Sequence, residues 1–136
     1  MGDSSKTRIC YYQGAYGFTL RIDVKAREWL EYLKESILSL AEGMTQEIRL
    51  DCLGNVEIDN FKTLTLVKAQ RKKYSIFSVP NDCISMSNGC FTWLQDTEEL
   101  VTLIGLIDGL LDGSGSGHQY LTNEGDGVLI VLAYNE

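Results

Sequence analysis

The sequence predicts an α+β domain in which two amphipathic helices pack on a mainly antiparallel sheet, with the elements in the order βαβββββαββ. Two stretches carry apolar residues at three- and four-residue spacing, which is typical of a helix with one buried face. Short segments around them alternate apolar and polar residues, as half-buried strands do. The chain has 136 residues, of which 44% are apolar, and therefore suits a single domain spanning residues 1–136.

The first predicted strand covers residues 18–22, and the first predicted helix covers residues 25–42. Asp23 is expected to cap that helix, because a carboxylate at this place accepts hydrogen bonds from the free amides of the first turn. Gly43 is expected to end it, since glycine readily adopts the left-handed conformation that closes many helices.

A strand-rich stretch follows the first helix, with six strand-like segments from which the five strands of that order are drawn: residues 47–53, 56–58, 61–69, 74–79, 83–86 and 90–93. The third and fourth of these are expected to form a hairpin closed by residues 70–73. Asn88 and Gly89 predict a tight turn between the last two, because both residues tolerate a positive φ angle. That turn would place Ser87 opposite Cys90.

The second helix is predicted to begin after Asp96, where Glu99 completes a capping box, and to stop near Gly113. Strands are predicted at residues 118–121 and 128–134. The last strand is apolar at six consecutive positions, which indicates an interior strand covered on both faces. The predicted core draws on both helices and this strand: Trp29, Leu33, Ile37, Leu103, Ile104, Ile107, Ile130 and Leu132.

The first six residues lack the apolar stretch of a signal peptide, and no apolar run reaches the roughly 18 residues of a membrane span. We therefore expect a cytoplasmic protein that has no membrane partner. In that reducing compartment the cysteines are expected to be reduced, inert and buried as small apolar side chains. They are Cys10, Cys52, Cys83 and Cys90.

Charge is segregated along the chain, because every Lys and Arg lies at or before Lys73. Residues 1–73 carry a net charge of +2 and residues 74–136 a net charge of −9, for −7 overall. We do not expect a nucleic-acid partner, since phosphate binding depends on clustered cations and only residues 71–73 form a basic run. An acidic surface instead attracts cationic partners.

Acidic residues gather on the predicted solvent faces of both helices. On the second helix, two exposed glycines, Gly105 and Gly109, accompany the acids, although each costs roughly 1 kcal/mol relative to alanine. One interpretation is a merely solvated face. We predict instead that a cationic protein docks on this side of the molecule, through Glu98, Asp108, Asp112, Glu124 and Asp126. The second-choice surface lies on the first helix: Glu28, Glu31 and Glu35.

No catalytic or metal motif stands out, and we predict a protein that is not an enzyme and has no cofactor. His118 is the only histidine, so acid–base catalysis of the usual kind would have to use it. A hydrogen-bonded histidine at the start of a strand is the plainer interpretation. Residues 123–127 are too short to supply a calcium cage alone, and the cysteines lack zinc-site spacing.

Residues 117–121 (GHQYL) and the apolar strand ending in residues 133–136 (AYNE) resemble the closing segment of bacterial immunity proteins that neutralise polymorphic or contact-dependent toxins. The small size, the acidity and the lack of a catalytic set fit the same class. This resemblance implies binding to a cognate toxin, often a cationic nuclease domain, but it transfers no functional residue. Two alternatives stay open: a small enzyme or ligand-binding domain with a pocket near His118, Tyr120 and Glu124, and a homo-oligomeric subunit whose acidity serves solubility.

Overall fold

The computed structural model describes residues 6–15, 17–69, 84–113, 116–122 and 127–135. In these ranges the helices are α1 (Arg27–Ala41) and α2 (Thr97–Leu111), and one turn of 3₁₀ helix covers Leu50–Cys52. The described strands are β1 (Thr7–Gly14), β2 (Gly17–Val24), β3 (Glu47–Arg49), β4 (Val56–Asp59), β5 (Thr63–Lys68), β6 (Ile84–Ser87), β7 (Cys90–Gln95), β8 (Gly117–Tyr120) and β9 (Leu129–Tyr134). The predicted strand at 74–79, its hairpin turn at 70–73 and Cys83 lie outside the described residues.

The strands form two mixed sheets. A five-stranded sheet has the order β4-β1-β2-β9-β8, and a four-stranded sheet has the order β3-β5-β7-β6. Antiparallel and parallel pairings alternate across each of them. The predicted α+β class is thus confirmed, with sheets that are mixed rather than mainly antiparallel. The parallel partners β2 and β9 come from opposite ends of the chain, a pairing that local sequence patterns do not reveal.

Both helices and the inner faces of both sheets contribute to one core. Alternation along β2 turns Leu20, Ile22 and Val24 inward, and β9 does the same with Ile130, Leu132 and Tyr134. An edge-to-face contact between Tyr11 and Phe91, with ring centroids 4.9 Å apart, joins the two sheets. Seven of the eight predicted core residues are buried, and the eighth, Ile104, is half-buried against them.

Local signals located the second helix and its preceding hairpin correctly. Asp96 is the N-cap of α2, and its side chain and that of Glu99 form the predicted capping box through bonds of 2.8 and 3.0 Å. Ser87 pairs with Cys90 across the turn, where Asn88 and Gly89 have φ angles of 52° and 81°. β9 is an interior strand, and its residues from Ile130 onward are buried on both faces, as predicted.

The prediction that Asp23 caps the first helix is wrong. Asp23 belongs to β2, where its carboxylate accepts a hydrogen bond of 2.8 Å from Arg21 Nε. The helix starts later, at Arg27, after the N-cap residue Ala26, whose side chain makes no capping bond. Gly43, with a φ angle of 81°, follows the helix end as predicted.

Two strand predictions also needed correction. The strand expected at 47–53 stops at Arg49, because the chain then turns into the 3₁₀ segment Leu50–Cys52. β1 was not predicted, since Cys10 and Tyr12 put apolar or aromatic residues on its outer face as well and hide the two-residue period.

Candidate functional site

The two helices lie side by side and run antiparallel. Arg27, at the start of α1, donates a hydrogen bond of 2.8 Å to the carbonyl of Leu111, the last residue of α2. Two turns further along α1, Lys34 Nζ lies 2.6 Å from Asp108 Oδ1, three residues before Leu111. Because both helices bury their apolar faces in the same core, their exposed faces share one side of the molecule.

The structure separates the roles of the acids predicted on α2. Glu98 and Asp112 are exposed, whereas Asp108 is half-buried in its ion pair with Lys34. The hydrogen bond that Lys34 donates to Asp108 raises the pKa of Lys34 above its ordinary value, so the ammonium group stays charged at neutral pH. Asp108 therefore holds the helices together as well as contributing charge.

The first-helix acids lie on the same side of the molecule. Glu28, Glu31 and Glu35 are all exposed, and Glu31 makes a loose ion pair of 3.7 Å with Arg27. We define the acidic helix surface as five of the exposed carboxylates of this helix pair: Glu28, Glu31, Glu35, Glu98 and Asp112. The first- and second-choice surfaces predicted from sequence thus lie on the same side of the molecule. Glu124 and Asp126, which belong to the first-choice surface, lie outside the described residues.

Apolar side chains are exposed among these acids. Tyr32 and Leu38 on α1 are 52% and 44% exposed, and Val101 on α2 is 57% exposed. In the antiparallel pair, Leu38 lies one turn beyond Lys34, and Val101 lies two turns beyond Asp108 in the same direction. Exposed apolar side chains that form a patch rimmed by polar residues are typical of protein-binding sites.

The two glycines of α2 differ in their surroundings. A Cβ atom at Gly105 would meet no atom within 4 Å, so no contact in the described fold requires glycine there. A Cβ atom at Gly109 would come within 3.4 Å of Gln119 Nε2 on β8. Close packing against β8 therefore explains part of the preference for glycine at position 109, but it does not explain glycine at position 105.

A second candidate site lies on the outer face of the five-stranded sheet, away from the helices. Here a pocket of about 280 Å³ opens among four neighbouring strands, β1, β2, β9 and β8. Its lining includes His118 and Tyr120, the residues named for a pocket from sequence, and it also includes residues that the sequence did not single out: Tyr12, Thr19, Arg21 and Val131. Strand order brings these together, since Arg21 pairs with Val131, and Val131 with Tyr120.

Alternation along β2 predicts that the pocket residues of this strand, which the sequence analysis did not name, lie on the outer face of the sheet. Leu20 and Ile22 face the core, so Thr19, Arg21 and Asp23 must face outward. No local pattern indicates, however, that β9 and β1 flank β2 and complete the pocket.

The side chain of Asp51 is a buried carboxylate, 4% exposed, that serves the fold. Burial alone would raise its pKa, but hydrogen bonds from Arg49, the amide of Leu64 and the thiol of Cys52 together hold the pKa below its ordinary value. The bonds from Arg49 Nε and the Leu64 amide to Oδ1 are both 2.9 Å long. Asp51 thus ties the 3₁₀ turn to β3 and β5.

The cysteines are less buried than predicted. Cys52 is exposed, and Cys10 and Cys90 are half-buried, so the expectation of buried thiols is wrong for these three, which are free. In the described ranges, no group of three or more His, Cys, Asp and Glu side chains is arranged to hold a metal ion. Neither described helix has the length and apolar character needed to cross a membrane.

Comparison with protein-family models, curated proteins and solved structures finds no match for this chain.

Proposed function

We propose that this protein binds a cationic protein partner through its acidic helix surface, and that this partner is a toxin domain neutralised by the binding. The observation that carries the proposal is the gathering of exposed carboxylates from α1 and α2 on one side of the molecule, interspersed with exposed apolar side chains. The proposal includes a cytoplasmic location, where such a partner would be met.

These acids contribute unequally to the fold. Glu28 and Glu98 lie in the first turns of their helices, where the helix dipole favours an anion. Glu28, Glu35, Glu98 and Asp112 make no ion pair with any other described residue. Along α1, acids three and four residues apart repel one another. Asp112 places its carboxylate at the C-terminal end of α2, where the helix dipole is unfavourable for an anion. A role outside the folded chain explains the spacing of acids along α1 and the position of Asp112 better than stability does.

The dimensions suit a protein rather than a small cation. Glu98 and Asp112 are fourteen residues apart on α2, which corresponds to about 21 Å along the helix axis. A standard interface covers about 800 Å² on each partner, so its width is comparable with this distance. Tyr32, Leu38 and Val101 supply the apolar contacts that such an interface needs, and the surrounding acids select a basic partner and speed its approach.

The identification of the partner as a toxin rests on the resemblance of the closing segment to that of immunity proteins. Acidity and exposed apolar groups support a basic protein partner in general. Inhibition of the toxin's activity must therefore be measured separately from binding.

The test is capture of a partner from the native cell followed by association kinetics with charge-reversed variants. Glu98→Lys combined with Asp112→Lys changes the acidic helix surface and leaves the Lys34–Asp108 ion pair in place. The matched control is Glu47→Lys combined with Glu57→Lys, which makes the same charge change at exposed positions of β3 and β4.

We expect the helix variant to slow association by about tenfold or more at low salt, whereas the control slows it much less. The difference should shrink as salt shortens the screening length to below about 10 Å. Urea unfolding of both variants checks that folding stability is retained. Equal slowing by the two variants would mean that net charge acts alone, and an unchanged rate in both would place the interface elsewhere. Loss of toxicity on co-expression with the captured partner tests the neutralisation step.

A further inference from the structure

The groove between α1 and α2 is apolar at one end of the helix pair. Leu38 follows Lys34 by four residues and Val101 precedes Asp108 by seven, so both lie on the sides of their helices that face each other. Ile104 lies on the same side of α2, one turn before Asp108, and is half-buried against the core. Since Leu38 and Val101 remain exposed, an apolar surface is open to a partner at this end of the groove.

Acidic residues surround this apolar end. Glu35 and Glu42 lie within about one turn of Leu38, on either side of it along the chain, and Glu98 precedes Val101 by three residues. All three carboxylates are exposed. The two cations within the helices are already bonded to groups of the helix pair, as described above. A segment that covers the apolar end therefore places its flanking side chains beside carboxylates, which attract lysine and arginine and repel acids.

The backbone of the helix pair favours a helical segment over an extended one. Within α1 and α2 the backbone N–H and C=O groups bond to one another. An extended segment lying on these helices would bury backbone groups without partners, whereas a helix bonds its own groups internally. A helix also presents apolar side chains in one stripe and packs against other helices at an axis separation of about 8–10 Å.

Gly105 leaves room for a second helix to approach. It follows Val101 by four residues and is exposed beside the groove. A Cβ atom at this position would meet nothing within 4 Å, so the surface is open here. Glycine lowers the stability of an exposed helix, but it permits close approach of another backbone. Such an approach explains a residue that the described fold does not require.

We infer that the apolar end of this groove binds one face of a basic, amphipathic helix. Apolar side chains of that helix lie against Leu38, Ile104 and Val101, and its lysine and arginine side chains lie beside the surrounding acids. The inference rests on the proposed function, which supplies the cationic partner, and adds the kind of segment through which that partner is recognised. Each helix of the pair has 15 residues and is about 22 Å long, which accommodates about four turns of a partner helix.

The probe is a synthetic peptide of about 14 residues, or four helical turns, in which leucines occupy one face of a helix and lysines the other. Its counterpart has the same composition with leucine and lysine in alternation, the pattern of a strand. Each peptide is titrated into the full chain at physiological salt while amide signals are followed by NMR. We expect saturable shifts in α1 and α2 with a dissociation constant of roughly 10–100 μM, and binding of the alternating peptide that is at least about tenfold weaker.

Leu38→Ala combined with Val101→Ala should weaken binding of the helix-patterned peptide by about tenfold or more, because both exposed apolar contacts are removed. The matched control is Leu94→Ala combined with Met86→Ala, which removes side chains that are 41% and 53% exposed on β7 and β6, outside the groove. We expect the control to stay within about twofold of the unaltered protein. With the captured partner, the groove variant should dissociate about tenfold faster or more and associate at an unchanged rate.

The inference is overturned if the helix-patterned peptide gives no saturable shifts up to about 1 mM, if the alternating peptide binds as well, or if the groove and control variants bind equally. Changes of the same signals with protein concentration alone would also overturn it, because a second copy of this chain would then occupy the groove. Failure of the proposed function is distinguished by the charge-reversed variant, which would then leave association of the captured partner unchanged. Slower association with that variant, together with unchanged dissociation from the groove variant, would overturn the helix inference alone.

Discussion

Replacing Asp51 tests how a buried carboxylate holds the 3₁₀ turn against the four-stranded sheet. Its Oδ1 atom accepts a hydrogen bond of 2.9 Å from the amide of Leu64, a residue that is fully buried. Asp51→Ala leaves that amide without its acceptor, and an unsatisfied buried donor costs about 1–3 kcal/mol. The ion pair with Arg49 adds little, because the Arg49 side chain is 44% exposed. We therefore expect Asp51→Ala to lower the free energy of unfolding by about 1–3 kcal/mol.

Asp51→Asn separates the hydrogen bond from the charge. Asparagine keeps an oxygen for the Leu64 amide, so we expect it to cost less than about 1 kcal/mol at pH 7. The pKa of Asp51 is lower in the folded protein than the ordinary value of 3.8, so the contribution of its charge is fully present above that value. It is lost as pH falls through the folded pKa. The gap between the unaltered protein and Asp51→Asn should accordingly be constant above about pH 5 and close at lower pH.

The assay is urea unfolding followed by circular dichroism, repeated between about pH 7 and pH 3. Equal losses for Asp51→Ala and Asp51→Asn at pH 7 would show that the hydrogen bond to Leu64 is not the source of the stability. A gap between the unaltered protein and Asp51→Asn that persists unchanged down to pH 3 would refute the argument from charge.

Two other predictions concern the helices. Leu33→Ala and Ile107→Ala should each cost about 2–5 kcal/mol in urea unfolding, because both side chains are buried in the core, and unchanged unfolding curves would contradict that placement. Gly105→Ala should raise the free energy of unfolding by about 0.5–1 kcal/mol, since a Cβ atom there meets nothing, and a destabilised variant would show that the exposed backbone at this position is constrained by the fold. Gly109→Ala should gain less, because its Cβ atom must fit beside Gln119.

The parts of the fold that were predicted correctly depend on neighbours in sequence. The capping box of Asp96 and Glu99 and the Asn88–Gly89 turn each need only three or four residues to be recognised. The buried faces of α1 and α2 follow from periodicity alone. The positions of the acidic residues on the exposed faces of these helices could be predicted from the same periodicity.

The wrong predictions involve residues whose partners are distant or whose local pattern had two interpretations. Asp23 has the chemistry of a helix cap, but pairing of β2 with β9 extends the strand to Val24 and turns the carboxylate toward Arg21 instead. β1 has apolar or aromatic side chains on both faces, so its alternation was not visible. In the folded sheet, the side chains on one face of β1 lie in the core, and those on the other face lie on the side of the sheet that carries the pocket.

The sequence by itself determined the α+β class, the two helices with their acidic faces, most of the core and the interior position of β9, because these follow from short-range periodicity and capping. Only the tertiary structure decided which charges meet. Asp108 is separated by 74 residues from Lys34, and the two form an ion pair because the helices run antiparallel. In the same way, Arg21 and Tyr120 share a pocket because β9 lies between their strands. Such contacts depend on long-range packing of the core, which cannot be predicted from any short stretch of sequence.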